Sequence, residues 1–428
     1  MTKHTIGIFF AAAGALAAEV HTLELGQAVE RALAQNPEVI IARLDQQKAE
    51  QQIRVARDPF YPKVFAGSGL AYTYGFPMSI EGSAPSIFQA EAAAALVNRP
   101  LSHRVAQARE EAKGAEIGAR TKQEEIALRT VELYLEAETA ARRVEMARGQ
   151  IETFEKVAAA VRLRVEEGRE MPIEARRAEL DIAVARQRLK EFEADLELAE
   201  SDLASVAGYE AGDRVRAAAE ERAAPAMPAS EEAAIADALD DHPSLLRLES
   251  ALAAKGYELK AERSEWLPRL SLVAKYGLFS RFNNYEEYFQ RFQRHNGLAG
   301  ISVEVPLYVG PGVKARAAQA QTDTERLRAE MSSTRSQIAL EARRSWQELD
   351  KARTGSEVAR LDLDLARESL GIVLARMDEG HASLQEVEAA RYAESEKWIA
   401  YYEARHRLEV ARYALLDQTG GLLAALGH

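Results

Sequence analysis

The chain has 428 residues, a net charge of −12 and no cysteine. The acidic balance argues against nucleic acid as the main partner, because binding phosphate needs a basic face. The missing cysteines exclude disulfides, thiolate metal sites, cysteine nucleophiles and lipid attachment through cysteine. Abundant Ala, Glu, Arg and Leu are the composition of long helices.

The N-terminus, "MTKHTIGIFFAAAGALAAEV", has a positive start at Lys3 and a short apolar run from Ile6 to Leu16. Ala15-Leu16-Ala17 fits a small-x-small cleavage pattern, so residues 1–18 read as a secretory signal peptide. No later stretch is apolar enough to cross a membrane as a helix, so any crossing must use strands.

Residues 22–57 read as a helix, stopped by "DPFYPKV" because a proline disfavours helix in the residue before it. Residues 63–75 read as a strand with Val64, Ala66, Leu70, Tyr72 and Tyr74 on one face. Residues 86–100 read as a second strand. Phe88, Ala90, Ala92, Ala94 and Leu96 face one way and Gln89 and Glu91 the other, although the alanines also suit a helix. From about 101 to 166 the pattern is helical, roughly 100 Å at 1.5 Å per residue. Its apolar positions Ala140, Val144, Ala147, Ile151, Phe154 and onward step by three and four in alternation, a coiled-coil seam. Gly168 interrupts, Pro172 opens the next helix, and Ala178, Ile182, Ala185, Leu189 and Phe192 continue the alternation. The two arms make an antiparallel helical hairpin.

The chain then repeats itself. Ala32, Leu33, Pro37, Arg57 and Pro62 match Ala238, Leu239, Pro243, Arg263 and Pro268, each pair 206 apart. After Pro268, Leu270, Leu272, Ala274, Tyr276 and Leu278 face one way, and Ser271 and Lys275 the other. In "GLAGISVEVPLYVG", Ile301, Val303, Val305 and Leu307 oppose Ser302 and Glu304. Loops fall at roughly 76–86 and 281–296. Further on Gly168 matches Gly380 and Gly208 matches Gly420, now 212 apart, and Tyr134 falls on Trp346. In the last arm Glu394 and Lys397 occupy seam positions. The expected organisation is a signal peptide (1–18), a first repeat (19–212), a linker or equatorial segment (213–230) and a second repeat (231–428). Each repeat holds helix, strand, strand, long helix, turn and long helix.

Four strands, apolar on one face, match a membrane barrel wall, yet four cannot close a barrel and an open edge is not tolerated in lipid. Strands that cross a membrane therefore require several chains in one barrel. Lys275, Glu304, Gln89 and Glu91 would then face the water-filled lumen. The alternative is an exported coiled-coil structural or adaptor protein without a channel, its hairpins forming a small soluble sheet.

This order resembles the TolC-like outer-membrane efflux protein family over nearly the whole mature chain. The resemblance rests on the repeated Asn/His-Pro, the Arg-x-x-x-x-Pro before each first strand, "PLYVGPGVKARAAQAQ", and the turns "RLRVEEGREMPIEARRAEL" and "LARMDEGHASLQEVEAARY". It implies a mostly α fold with membrane β. Two long hairpins per subunit would join a periplasmic α-barrel, and four strands a shared twelve-stranded barrel in a homotrimer set in outer-membrane lipid. It implies a passive exit duct serving a periplasmic adaptor protein and an inner-membrane transporter, with no cofactor and no enzymatic role. The acidic residues six positions after each turn glycine, Glu174 and Glu386, become gate candidates. Asp378, Glu379, Arg169 and His381 flank the same turns, whose glycines are Gly168 and Gly380. Where family members carry a latch arginine and tyrosine this chain has Ala382 and Met377, so closure must use other contacts.

"GPGVKA" at 310–315 matches a dinucleotide-loop pattern, but it follows an antiparallel hairpin rather than opening a βαβ unit, and a tight turn explains its glycines. The eight histidines form no metal spacing, and no nucleophile–base constellation stands out.

Overall fold

In a computed structural model, residues 19–69, 86–220, 222–279, 293–379 and 381–427 are described, without the side chains of Asp378 and Leu384. The expected signal peptide, strand residues Leu70, Tyr72 and Tyr74, most of both strand-connecting loops, and Gly380 lie outside them.

The chain opens with β1 (Val20–Leu23), α1 (Leu25–Gln35) and α2 (Pro37–Arg57), then a 3-10 turn at Asp58–Phe60. β2 (Lys63–Gly69) and β3 (Ser86–Val97) lead into α3 (Arg99–Glu166) and α4 (Pro172–Val206). β4 (Arg214–Ala217) precedes the second round: α5 (Glu231–Asp240), α6 (Pro243–Arg263), β5 (Arg269–Phe279), β6 (His295–Glu304), α7 (Gly310–Asp378), α8 (Leu384–Gln418) and the short α9 (Leu422–Ala425). The duplicated order expected from the prolines is the order observed.

Two details differ from expectation. Residues 22–57 are not one helix. Asn36, held extended before Pro37, ends α1, and its amide donates to Val206 O at 3.0 Å while its Oδ1 accepts from Glu38 N at 2.8 Å. The repeated Asn/His-Pro is thus a helix break and cap: His242 likewise accepts from Ser244 N at 3.2 Å ahead of Pro243. In addition, β6 ends at Glu304, so Val305 and Leu307 are not strand residues. Pro306 has no N–H to donate to a ladder.

The chain divides into two compact units that cut across the two copies. One takes Met1–Ile40, Lys122–Asp240 and Ile338–His428; the other takes Ile41–Thr121 and Asp241–Gln337. The second unit holds an antiparallel sheet in the order β2-β3-β5-β6. In the same unit, ion pairs Arg104–Glu265 (3.4 Å) and Arg316–Glu262 (2.7 Å) tie α3 and α7 to the end of α6.

In the first unit, β1 pairs in parallel with β4, beside a core that includes Leu25, Val29, Val131, Tyr134, Leu203 and Leu416. Gly208 follows α4 at φ 75, and a Cβ there would stand 2.7 Å from that of Gln35, so both backbone angle and space demand glycine. The α3–α4 hairpin zips along the expected seam. Ala140, Val144, Ala147, Ala158 and Val161 are buried on α3, and Ala178, Ala185, Ala199 and Leu203 on α4. Arg162–Glu179 (2.9 Å), Arg186–Glu155 (2.8 Å) and Arg148–Glu193 (2.7 Å) flank it. The irregular arm is α8. Lys397 at its seam position reaches Asp362 of α7 at 2.6 Å, and Glu394 accepts from Trp398 Nε1 at 3.3 Å. Charged groups at those heptad positions are therefore satisfied locally.

Candidate functional site

The sheet sorts its side chains as the alternation requires. Residues opposite one another in an antiparallel pair share a face. Ala90 lies opposite Tyr276 and Ala66, and Leu272 opposite Ala94 and Ile301. One continuous apolar face results, on which Val64, Ile301 and Val303 are exposed. Glu91 lies opposite Lys275, and Arg269 opposite Glu304, which puts Gln89, Glu91, Lys275 and Glu304 together on the other face. Lys275 Nζ meets Glu91 Oε1 at 2.8 Å across the strands. Phe65 and Leu298 interrupt that polar face. Among the described residues β2 and β6 end the ladder, leaving an edge on each side. Among the described residues no helix is long and apolar enough to cross a membrane.

In the other unit, the two hairpin turns hold the remaining predicted residues. α3 ends with Gly168 at φ 70. Gly168 N donates to Val165 O (3.0 Å) and Arg169 N to Arg164 O (2.8 Å), so a glycine at the left-handed position satisfies the last carbonyls. The exposed Arg169 side chain pairs with Glu167 at 3.2 Å. Met171 stands at the N-cap position of α4 without a side-chain capping bond, Pro172 takes the first helical position, and Glu174 pairs with Arg177 at 2.8 Å. At the second turn, His381 N donates to Arg376 O at 2.7 Å, and Arg376 Nη2 returns a bond to His381 O at 3.3 Å. Glu379 is exposed there. Ser383 and Glu386 form a reciprocal cap on α8: Glu386 N donates to Ser383 Oγ (3.2 Å), and Ser383 N donates to Glu386 Oε2 (2.6 Å). The Ser383 backbone N–H and hydroxyl hold the Glu386 carboxyl below its ordinary range.

The turns also gather a group that repeat comparison overlooks. Glu388 is half-buried, and burial together with Asp181 and Glu174 pushes its carboxyl up. Glu174 lies in the first turn of α4, Asp181 in its third turn and Glu388 in the second turn of α8. The residue 212 positions before Glu388 is Arg176, so matching the copies points away from it. Arg188, at the same junction, reaches Glu396 at 2.6 Å.

A second missed cluster lies in the expected equatorial segment. Tyr134 Oη sits 3.2 Å from Leu23 O and 3.2 Å from Glu220 Oε1. Arg222 bonds Glu138 and, at 3.0 Å, Glu220, and lies 5.5 Å from the Tyr134 ring centre. Burial and the Glu220 charge push the Tyr134 phenol up. Burial opposes ionisation of Glu138, but Arg222 and Arg142 outweigh it and hold that carboxyl low. This knot fastens the linker and β1 to α3.

A one-sided sheet with two edges stands in a chain that also carries paired coiled-coil hairpins, and known proteins share this combination. The model of the outer membrane efflux protein family matches residues 28–209 and 234–428. The chain belongs to the outer membrane efflux protein family. The two matched segments each fall within one of the expected repeats, and the outer membrane is where this efflux family member resides. Outer membrane efflux protein BepC of Brucella suis is 27% identical over 267 residues, 62% of this chain and 56% of that one. Alkaline protease secretion protein AprF of Pseudomonas aeruginosa is 28% identical over 204 residues, 47% of this chain and 42% of that one. The chain thus spans about half the length of the curated relatives it matches. The crystal structure of CusC superposes with a TM-score of 0.76 at 16% identity, covering 93% of this chain and 92% of that one, so the fold is shared end to end. The family is one of channel proteins rather than enzymes.

Proposed function

We propose that three copies of this efflux family member form one outer-membrane duct that passively conducts what an inner-membrane transporter and a periplasmic adaptor deliver to it. The observation that carries this reading is the four-stranded sheet with an exposed apolar face and two open edges. Unpaired backbone groups are costly in lipid, and a barrel is the arrangement of strands without an edge. Three copies supply twelve strands, enough to enclose a lumen lined by Gln89, Glu91, Lys275 and Glu304. CusC is described as forming a transmembrane channel, and BepC and AprF are named for efflux and for protease secretion. Likeness to these proteins supports a duct of this kind. A free coiled coil or an adaptor gives no reason for that apolar sheet face.

Within this reading the copies run 19–212 and 231–428, and 213–230 is the equatorial segment between them. The hairpin turns form the periplasmic entrance, with Glu174, Glu386, Asp378, Glu379, Arg169 and His381 around it and Glu388 with Asp181 just inside. Three-fold repetition turns each acid into a ring, which favours cations. Planar-bilayer recording tests this: Glu386→Gln and Glu388→Gln should each lower cation preference and weaken block by multivalent cations. Unchanged selectivity in both variants would remove the turns from the entrance.

A further inference from the structure

Near the start of α4 and α8, the helices α3, α4 and α8 part to leave a cavity of about 300 Å³. Its walls follow from helical spacing. Asp181, Val184, Ala185 and Arg188 stand at i, i+3, i+4 and i+7 of α4 and so share one face. Gln385, Glu388, Ala389 and Tyr392 repeat that spacing on α8, and Phe154 of α3 joins the lining. Val184 and Tyr392 are half exposed, so the cavity can be reached from solvent.

The two ends differ. At one end the charge is already matched: Arg188 meets Glu396 at 2.6 Å, and its guanidinium lies 5.6 Å from the Phe192 ring centre. About 10 Å away along α4, Asp181 and Glu388 line the same cavity from two helices. Among the described residues neither carboxyl has a hydrogen bond or an ion pair. Asp181 and Glu174 each oppose the Glu388 charge more than Arg391, on its own helix, supports it. Between the ends the lining is apolar: Val184, Ala185, Ala389 and the rings of Phe154 and Tyr392. The carboxyls call for a cation and the walls for an apolar body. Among the described residues no group of three or more acids or histidines is arranged to hold a metal ion.

We propose that this cavity binds a small amphipathic organic cation, its charged head between Asp181 and Glu388 and its apolar body along Phe154, Val184 and Tyr392. Aromatic rings both cover an apolar body and attract a cation over their faces. The volume lies at the low end of the range of small-molecule sites, which suits a compact ligand. Every lining residue belongs to one copy, so the site does not depend on how many copies assemble.

The probe is 9-aminoacridine, a flat aromatic cation at pH 8. Acridine, the same ring system without the charge at that pH, is its neutral counterpart. The full chain in detergent is dialysed to equilibrium with equal detergent on both sides. Binding of 9-aminoacridine should saturate at one per copy, and acridine should bind much more weakly. Glu388→Gln and Asp181→Asn should each weaken 9-aminoacridine about tenfold, the loss of one charged contact, and together abolish its binding. Ala389→Trp, placed at an exposed position, should fill the groove and also remove binding. Asp195→Asn deletes the same charge about 20 Å further along α4, where the side chain is exposed, and should bind as the parent does. Circular dichroism melts check that each variant is folded. Binding that does not saturate, acridine held as tightly as 9-aminoacridine, or parental affinity in the double variant would overturn the site. So would an equal loss in Asp195→Asn, which would mean diffuse attraction to an acidic chain.

Discussion

Asp417, near the end of α8, carries its carboxyl to about 6, because burial and the facing charges of Glu124, Glu132 and Glu125 on α3 oppose ionisation. Its ordinary value is 3.8, so the folded protein binds this proton more tightly than the unfolded chain. Stability from this group is therefore full below about pH 4 and is lost as pH rises through 6. Asp417→Asn should raise the thermal midpoint at pH 8, by up to about 2–3 kcal/mol of stability, and change little at pH 4. Scanning calorimetry at the two pH values checks the crossing; an equal gain at both would mean that packing, not charge, is responsible. Arg222 works in the opposite sense. Arg222→Met would strip Glu138 and Glu220 of the cation they share, leaving Glu138 only Arg142 and Glu220 only the Tyr134 hydroxyl and the Leu25 N–H, at a cost of about 3 kcal/mol. Urea unfolding should show that loss at neutral pH and a smaller one as the acids protonate. Neither group is legible in the sequence. "EER" in the alanine- and proline-rich linker reads as a solvated charge run, and only the fold brings Glu138, from a helix some eighty residues earlier, against it.

At the level of elements, much of the architecture is legible because it rests on periodicity. The alternation in β5 and the heptads in α3 and α4 have long windows in which chance is averaged away. β1 and β4 are not legible, since four residues are too few for a period of two and their pairing spans most of the first copy. The second turn shows a different failure. Ser383-x-x-Glu386 is the capping-box pattern, present in the sequence, yet the repeat and the resemblance to gate residues draw the eye to another role for Glu386. The structure shows it capping α8. Ser383→Ala should accordingly fray the start of α8 and lower stability by about 1 kcal/mol, measured as faster amide hydrogen exchange over residues 384–390. The same exchange in the variant and the parent would mean the cap is not formed in solution. Glu388, by contrast, could be found only by knowing that α4 and α8 begin side by side.

For the whole molecule, the sheet faces make the sharpest distinction. Leu272 lies on the apolar face and Lys275 on the polar one, in the same strand. An arginine facing lipid near the midplane costs about 2–4 kcal/mol. Leu272→Arg should therefore lower the yield of assembled outer-membrane protein, whereas Lys275→Leu, losing only its exposed pair with Glu91, should insert normally. Comparable damage from both, in outer-membrane fractions, would show that neither face is turned to lipid.

The open edges of β2 and β6 and the exposed apolar face between them make one demand, that a single copy is incomplete. The measurement that addresses it most directly is the native mass of the mature protein extracted from outer membranes in detergent. The account predicts a complex of three copies, stable without any partner protein. A monodisperse single copy would contradict it.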